Sequence, residues 1–482
     1  MRFFARMNFS SSTNMNPMSL SRRAFLRQTG AGLGAIALDA LLAEHAAAAP
    51  GNPLSPHPGH FPARAKRCVF LYMPGGPSHL DLFDPKPRLN KEHGQPLPFA
   101  KPGLEHTKTG NLFGSPWQFA RHGQSGLEIS ELLPHLARHA DDLCVIRSMA
   151  ADNINHTGAN FQMCFGDQAF SRPSIGSWVT YGLGSENANL PGFVVIAPKG
   201  PPGGAKLWSS SFLPATYQGT WVTNFAQPVA NLADPFADPA RQQDKLEMMR
   251  LLNERHAATH PDEPMLEARI ASFELAFRMQ MEAPEAFALD RESQATRALY
   301  GLDDPVTAGF GQQCLLARRL LERGVRFVHV FDTSKAGNPW DNHNEIAKTL
   351  PEACAGIDKP VAGFLSDLKA RGLLDDTLVV WGGEFGRTPT AQTANGRADG
   401  REHHPFGFTM WLAGGGVKGG HTHGETDEYG WFAVRDKVHV HDLHATILHL
   451  LGLDHKRLTY RAGGRDYRLT DVYGNVVNSI LA

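Results

Sequence analysis

Six runs dominated by apolar residues punctuate the chain: 67–73 (RCVFLYM), 143–146, 193–196, 325–331, 377–381 and 408–412. Short apolar runs without polar alternation fit strands buried on both faces. Between them, apolar residues recur every three or four positions over 127–140, 264–282, 307–323, 344–371 and 442–451, the period of amphipathic helices. Strands alternating with helices predict an α/β fold, a mostly parallel central sheet covered by helices on both faces. In such sheets ligands collect beyond the C-terminal ends of the strands. Residues 200–245, rich in Pro, Gly, Ser and Asp, break the pattern and predict a long surface excursion, a candidate lid.

The first fifty residues follow a different logic. A basic region ending in Ser21-Arg22-Arg23-Ala24-Phe25-Leu26, an apolar stretch over 29–42 and Ala47-Ala48-Ala49 have the order of a twin-arginine export signal. The stretch is too short and broken for a stable span, so the mature chain is expected to have no transmembrane segment. The expected organisation is a signal over 1–49, a proline- and glycine-rich linker over 50–64 and a single domain over 65–482. The expected partner in export is the twin-arginine translocation machinery, and the expected location is periplasmic or extracellular. Because that route carries folded cargo, a metal loaded before translocation becomes a natural expectation.

Composition narrows the partners. Lys plus Arg number 47 against 48 Asp plus Glu, so no global field draws the chain to nucleic acid or anionic lipid. The five cysteines form no CxxC and read as buried small hydrophobes. The 23 histidines, denser toward the C-terminus, suit metal ligation.

Four segments beyond predicted strands carry metal-binding residue types. In 75–85, two glycines allow close backbone approach while Ser78, His79 and Asp81 offer donors. In 153–160, Thr157 follows His156 at an expected helix start and is either a nucleophile or a cap. In 340–344 (WDNHN), Asp341 and His343 are two positions apart in a loop and can ligate one metal together. In 382–405, a strand delivers Glu384 into a glycine-rich loop, Arg387 is placed to clamp an anion, and His403 and His404 follow. Adjacent strand residues point to opposite faces, so only one of those two histidines is expected to be a ligand.

These segments together resemble the bacterial family called domain of unknown function 1501, described as sulfatase-like. The resemblance rests on MPGGPSHLDLFDPKP (73–87), NHTGANFQMCFG (155–166), WDNHNEI (340–346), GGEFGRTP (382–389) and the stretches 172–196, 400–428 and 441–454. It implies an alkaline-phosphatase-like (sulfatase-like) three-layer sandwich and a divalent metal, zinc, calcium or magnesium. It implies Asp81, Asp341, His343, Glu384 and His404 as ligands, with Thr157 and Arg387 in catalytic roles. The implied activity is hydrolysis of phosphate or sulfate esters, on a small-molecule or polysaccharide substrate. One departure bears on the chemistry: a formylglycine signal requires Cys or Ser with Pro or Ala two places on and Arg four places on. None of the five cysteines has it: Cys314 has Arg318 but Leu316 between; Ser171 has Pro173 but Ile175. A non-catalytic glycan- or surface-polymer-binding protein on the same fold is the competing expectation.

Overall fold

The computed structural model describes residues 53–101, 108–225, 239–259, 284–333, 337–393 and 398–482, with 270, 274–275 and 278–279 between them. The expected signal over 1–49 and most of the expected helix over 264–282 lie outside the described residues.

All six apolar runs form strands of one nine-stranded sheet. In chain order the sheet takes β1 (Arg67–Tyr72), β2 (Leu143–Ala150), β3 (Phe193–Ile196), β4 (Thr220–Val222), β5 (Phe327–Phe331), β6 (Thr377–Gly382), β7 (Phe408–Ala413), β8 (His421–His423) and β9 (Val438–His439). The order across the main path is β8-β2-β7-β6-β1-β5-β3-β4, with β9 also paired to β2. Every pairing is parallel except those of β7, which runs antiparallel between β2 and β6. Burial does not alternate along β1, β5 or β6, so both sheet faces are covered. The fold class is therefore the expected one.

Helices α1 (His156–Phe165), α2 (Ile175–Leu183), α3 (Pro239–Thr259), α4 (Ala308–Glu322), α5 (Ile346–Ala370) and α6 (Val440–Leu450) follow or precede these strands. Three expectations need correction. The pattern over 127–140 is a short strand, Leu127–Ser130, followed by the 3-10 helix Leu136–Asp142. Residues 200–245 are not one excursion: Thr220–Val222 closes the sheet edge against β3, and α3 begins at Pro239. Residues 53–64 are also more than a spacer, because Leu54 O, His57 N, His60 N and Arg64 N bond to Ser185 N, Leu183 O, Gly452 O and Leu450 O.

The five cysteines are buried and unpaired. Among the described residues no helix is long and apolar enough to cross a membrane.

Candidate metal centre

β1, β2, β5 and β6 run in one direction, so the loops at their C-terminal ends gather at one edge of the sheet. The loop after β2 leads to His156, the one after β5 to Asp341 and His343, and the one after β6 to Glu384. A small side sheet supplies the fourth wall: Gly386–Gln392 pairs antiparallel with Arg401–His404, setting Arg387 opposite His403. The close approach of the β1 loop depends on glycine. Gly75 has φ +116°, and a Cβ there would lie 2.6 Å from the Asp341 backbone nitrogen.

Four side chains converge at this edge. His156, Asp341, His343 and His403 each offer a ligand atom within 4.8 Å of the others. Asp341 is the hub: its Oδ2 lies 3.1 Å from His156 Nε2, and its Oδ1 lies 2.9 Å from His343 Nε2 and 3.2 Å from His403 Nε2. On the far side of each ring, Nδ1 faces an oxygen. His156 Nδ1 donates to Glu384 Oε1 at 2.7 Å, His403 Nδ1 to the Ile154 carbonyl at 2.7 Å, and His343 Nδ1 meets the Gln392 side-chain oxygen. An Nδ1 that faces an acceptor carries the proton, which leaves the Nε2 lone pair turned inward.

Glu384 is itself fixed. It is fully buried, its Oε1 also accepts from the Gly75 N–H at 2.9 Å, and Tyr72 Oη reaches its Oε2 at 3.4 Å. A carboxylate held this way behind a ligating imidazole sets the ring's tautomer and orientation.

Three inward lone pairs around a carboxylate repel one another unless positive charge sits among them. His156 Nε2 makes the point most directly: it is buried and 3.1 Å from Asp341, yet has no partner in hydrogen-bond geometry. Burial pulls the His156 imidazole down, but Asp341 and Glu384 on its two sides outweigh it and raise it to about 9. Burial also works against ionising Asp341, and is overcome by Arg387 and the three imidazoles, which hold the carboxyl well below the usual range. His403 moves the other way, lowered chiefly by burial. A proton on His156 and a bound cation thus answer the same demand and compete for one place. The residues fit a divalent cation, and with Asp341 and His343 about a quarter exposed the group remains open to solvent.

The expected ligands separate into two sets. Asp341 and His343 belong to the group, and Glu384 stands behind it as the partner of His156. Asp81 does not join it: both its oxygens are taken by Arg401 in a fork, Nε–Oδ2 at 2.8 Å and Nη2–Oδ1 at 3.0 Å, with both side chains fully buried. Ser78 also donates to Asp81. His404 points to the opposite face of its strand from His403, where its Nε2 meets the Trp431 carbonyl. His79 is likewise held away, at the Gly430 carbonyl, 3.0 Å.

Arg387 is not available as an anion clamp. It is fully buried, and it donates to Gly76, Gly75, Trp340 and Arg401 carbonyls and to Asp341, 2.6 Å away. Its role is to neutralise Asp341 Oδ1 and tie the loops together. Thr157 is exposed in the first turn of α1, where its N–H is capped by Asn155 at 3.0 Å. His156 and His403 were the residues least marked in the sequence. The first sits in the same motif as Thr157, and the second was one of two adjacent histidines whose register only the side sheet decides.

No curated protein matches the chain. Solved structures similar to it include a lipoteichoic acid synthase from Listeria monocytogenes, 12% identical over 87% of this chain and 78% of that one, TM-score 0.32. Another is a sulfatase from Pseudoalteromonas sp., 13% identical over 81% and 68%, TM-score 0.34. A third is an alkaline phosphatase superfamily protein from Vibrio parahaemolyticus, 10% identical over 83% and 70%, TM-score 0.32. The family described as protein of unknown function, DUF1501, matches over residues 65–481. That match spans nearly everything beyond the first 64 residues, and the chain belongs to this family.

Proposed function

We propose that this chain is an exported metal-dependent hydrolase of phosphate or sulfate esters, with His156, Asp341, His343 and His403 as the ligands. The observation that carries the reading is the convergence of three imidazole Nε2 atoms on one carboxylate, each ring held from behind through Nδ1. Three nitrogens and one oxygen favour zinc or another first-row transition ion over calcium or magnesium, which prefer oxygen shells. A divalent cation in this place supplies Lewis-acid polarisation of an ester oxygen.

The chain's own residues do the rest. Glu384 orients His156, Gln392 and Ile154 orient His343 and His403, and Arg387 holds the Asp341 carboxylate ionised. Thr157, exposed next to His156, is the candidate nucleophile: none of the five cysteines carries the formylglycine signal, and a serine that matches it, Ser293 with Ala295 and Arg297, instead caps the helix Gln294–Leu299 through its hydroxyl. The export signal over 1–49 supports a periplasmic or extracellular site of action, with metal loading before translocation.

One feature favours the second reading, a binding protein on the same architecture. The one arginine expected to hold a transferring group, Arg387, is engaged within the protein. A screen of aryl phosphate, phosphonate and sulfate esters against the zinc-loaded mature chain separates the two. The hydrolase reading expects turnover that falls by roughly a hundredfold or more in Asp341→Asn. Stoichiometric metal without turnover of any ester favours the binding protein.

A further inference from the structure

A groove opens beside the loop that leads into His156. It encloses about 580 Å³, within the range of roughly 300–1,000 Å³ typical of small-molecule sites. Asp152, Gln162 and residues 166–170 line it from one part of the chain, and His439, His441, Asp471 and Tyr473 from another. A second hollow of about 410 Å³ shares His439, His441 and Tyr473 with it.

Two aromatic rings lie open here: Phe170 is 69% exposed and Tyr473 is 61% exposed. Exposed rings that line a concavity offer flat apolar faces to a ligand. The Tyr473 ring lies against His441, with centroids 5.2 Å apart and planes 21° from parallel. His441 is only 5% exposed, and its Nδ1 has no hydrogen-bond partner. A buried ring nitrogen left unmatched in the lining of a hollow is a polar contact held for whatever enters.

The charges in the groove are already balanced. Asp152 accepts from His439 Nε2 at 3.0 Å and from Gln162. Asp167 pairs with Arg172 at 3.2 Å and accepts from the Phe170 N–H at 2.8 Å, while Asp471 pairs with Arg465. What remains are acceptor lone pairs, amide dipoles and two aromatic faces, with no unmatched carboxylate to draw an ion. A hydroxylated ring without charge suits this set, since its apolar face can lie on an aromatic ring while its hydroxyls meet carboxylate and amide oxygens.

We propose that this groove binds a neutral oligosaccharide chain. Asp152 precedes His156 by four residues, at most about 14 Å of extended backbone. The same segment places the Ile154 carbonyl on His403. One polymeric ligand can therefore occupy the groove and reach the metal centre. The groove proposal stands without the hydrolase reading.

Titration calorimetry of the full mature chain with cello-, manno-, xylo-, malto- and chitohexaose tests it. At least one hexaose is expected to bind with a Kd below about 1 mM. Replacing both exposed rings, Phe170→Ala with Tyr473→Ala, is expected to weaken that binding by roughly tenfold or more. Val306→Ala, an exposed position outside the groove, should leave it within about twofold. No binding by any of the five hexaoses overturns the proposal, as does unchanged binding by the double variant. Saturable binding of tetramethylammonium in place of the sugars also overturns it, in favour of a cation site.

Discussion

Two clusters that meet at one short strand, Arg401–His404, show what separates a metal site from a structural lock built of the same residue types. In one, Arg401 grips Asp81 and His404 meets a carbonyl, with His79 nearby on another. In the other, His403 turns to Asp341, together with Arg387, His156 and His343. Both clusters have an arginine–aspartate pair and histidines. In the first, the guanidinium fork uses both carboxylate oxygens and everything is sealed. In the second, the guanidinium touches one oxygen, the carboxylate stays about a quarter exposed, and three rings turn their Nε2 atoms to it. What distinguishes them is which lone pairs are already used.

Acid should affect the sealed side first and most. Burial lowers His79 to about 4 and His404 to about 3, and it lowers His329 and His444 to about 3 elsewhere in the core. In the unfolded chain these rings take protons near 6.5, which the folded protein refuses. Stability is therefore full above that value and is lost as pH falls from about 6.5 toward 4, with four protons giving a slope of up to roughly 5 kcal/mol per pH unit. Urea unfolding between pH 7 and 5 checks this, and His404→Asn should make the slope shallower.

Breaking the lock comes next. Arg401→Met leaves Asp81 buried without its fork and should cost about 3–5 kcal/mol in denaturant unfolding. The folded fraction should still take up metal, because Asp81 is not a ligand. If Arg401→Met lost metal in parallel with Asp341→Asn, the two clusters would not be separate.

Much of this division could not be read along the chain. The strands could, because parallel strands buried on both faces leave unmistakable apolar runs. Asp341, His343 and Glu384 followed, as polar residues in glycine- or asparagine-rich loops just past those runs. The pairing of Asp81 with Arg401, 320 positions away, could not, since it is fixed by how the side sheet folds over the β1 loop. The choice between His403 and His404 depended on the strand's register, which alternation alone leaves open. The strand at 127–130 was legible after all: Leu127 and Ile129 alternate with Glu128, a period of two hidden under the longer helical reading. Thr220–Val222 is too short to announce itself.

The smallest expected effect is on the open side. Glu384→Gln keeps the shape of the side chain but exchanges a carboxylate for an amide behind His156. Zinc affinity measured by competition with a chelator should drop roughly 10–100-fold, with the fold retained. An unchanged affinity would assign Glu384 to the β1 loop alone, through the Gly75 N–H.

X-ray absorption spectroscopy of the zinc-loaded chain reads the ligand set itself. One zinc per chain is expected, with three imidazole nitrogens and a carboxylate oxygen at about 2.0–2.2 Å. His403→Ala should remove one imidazole from the shell and His404→Ala none. An oxygen-only shell, or a shell altered by His404→Ala but not by His403→Ala, would overturn the four-residue ligand set.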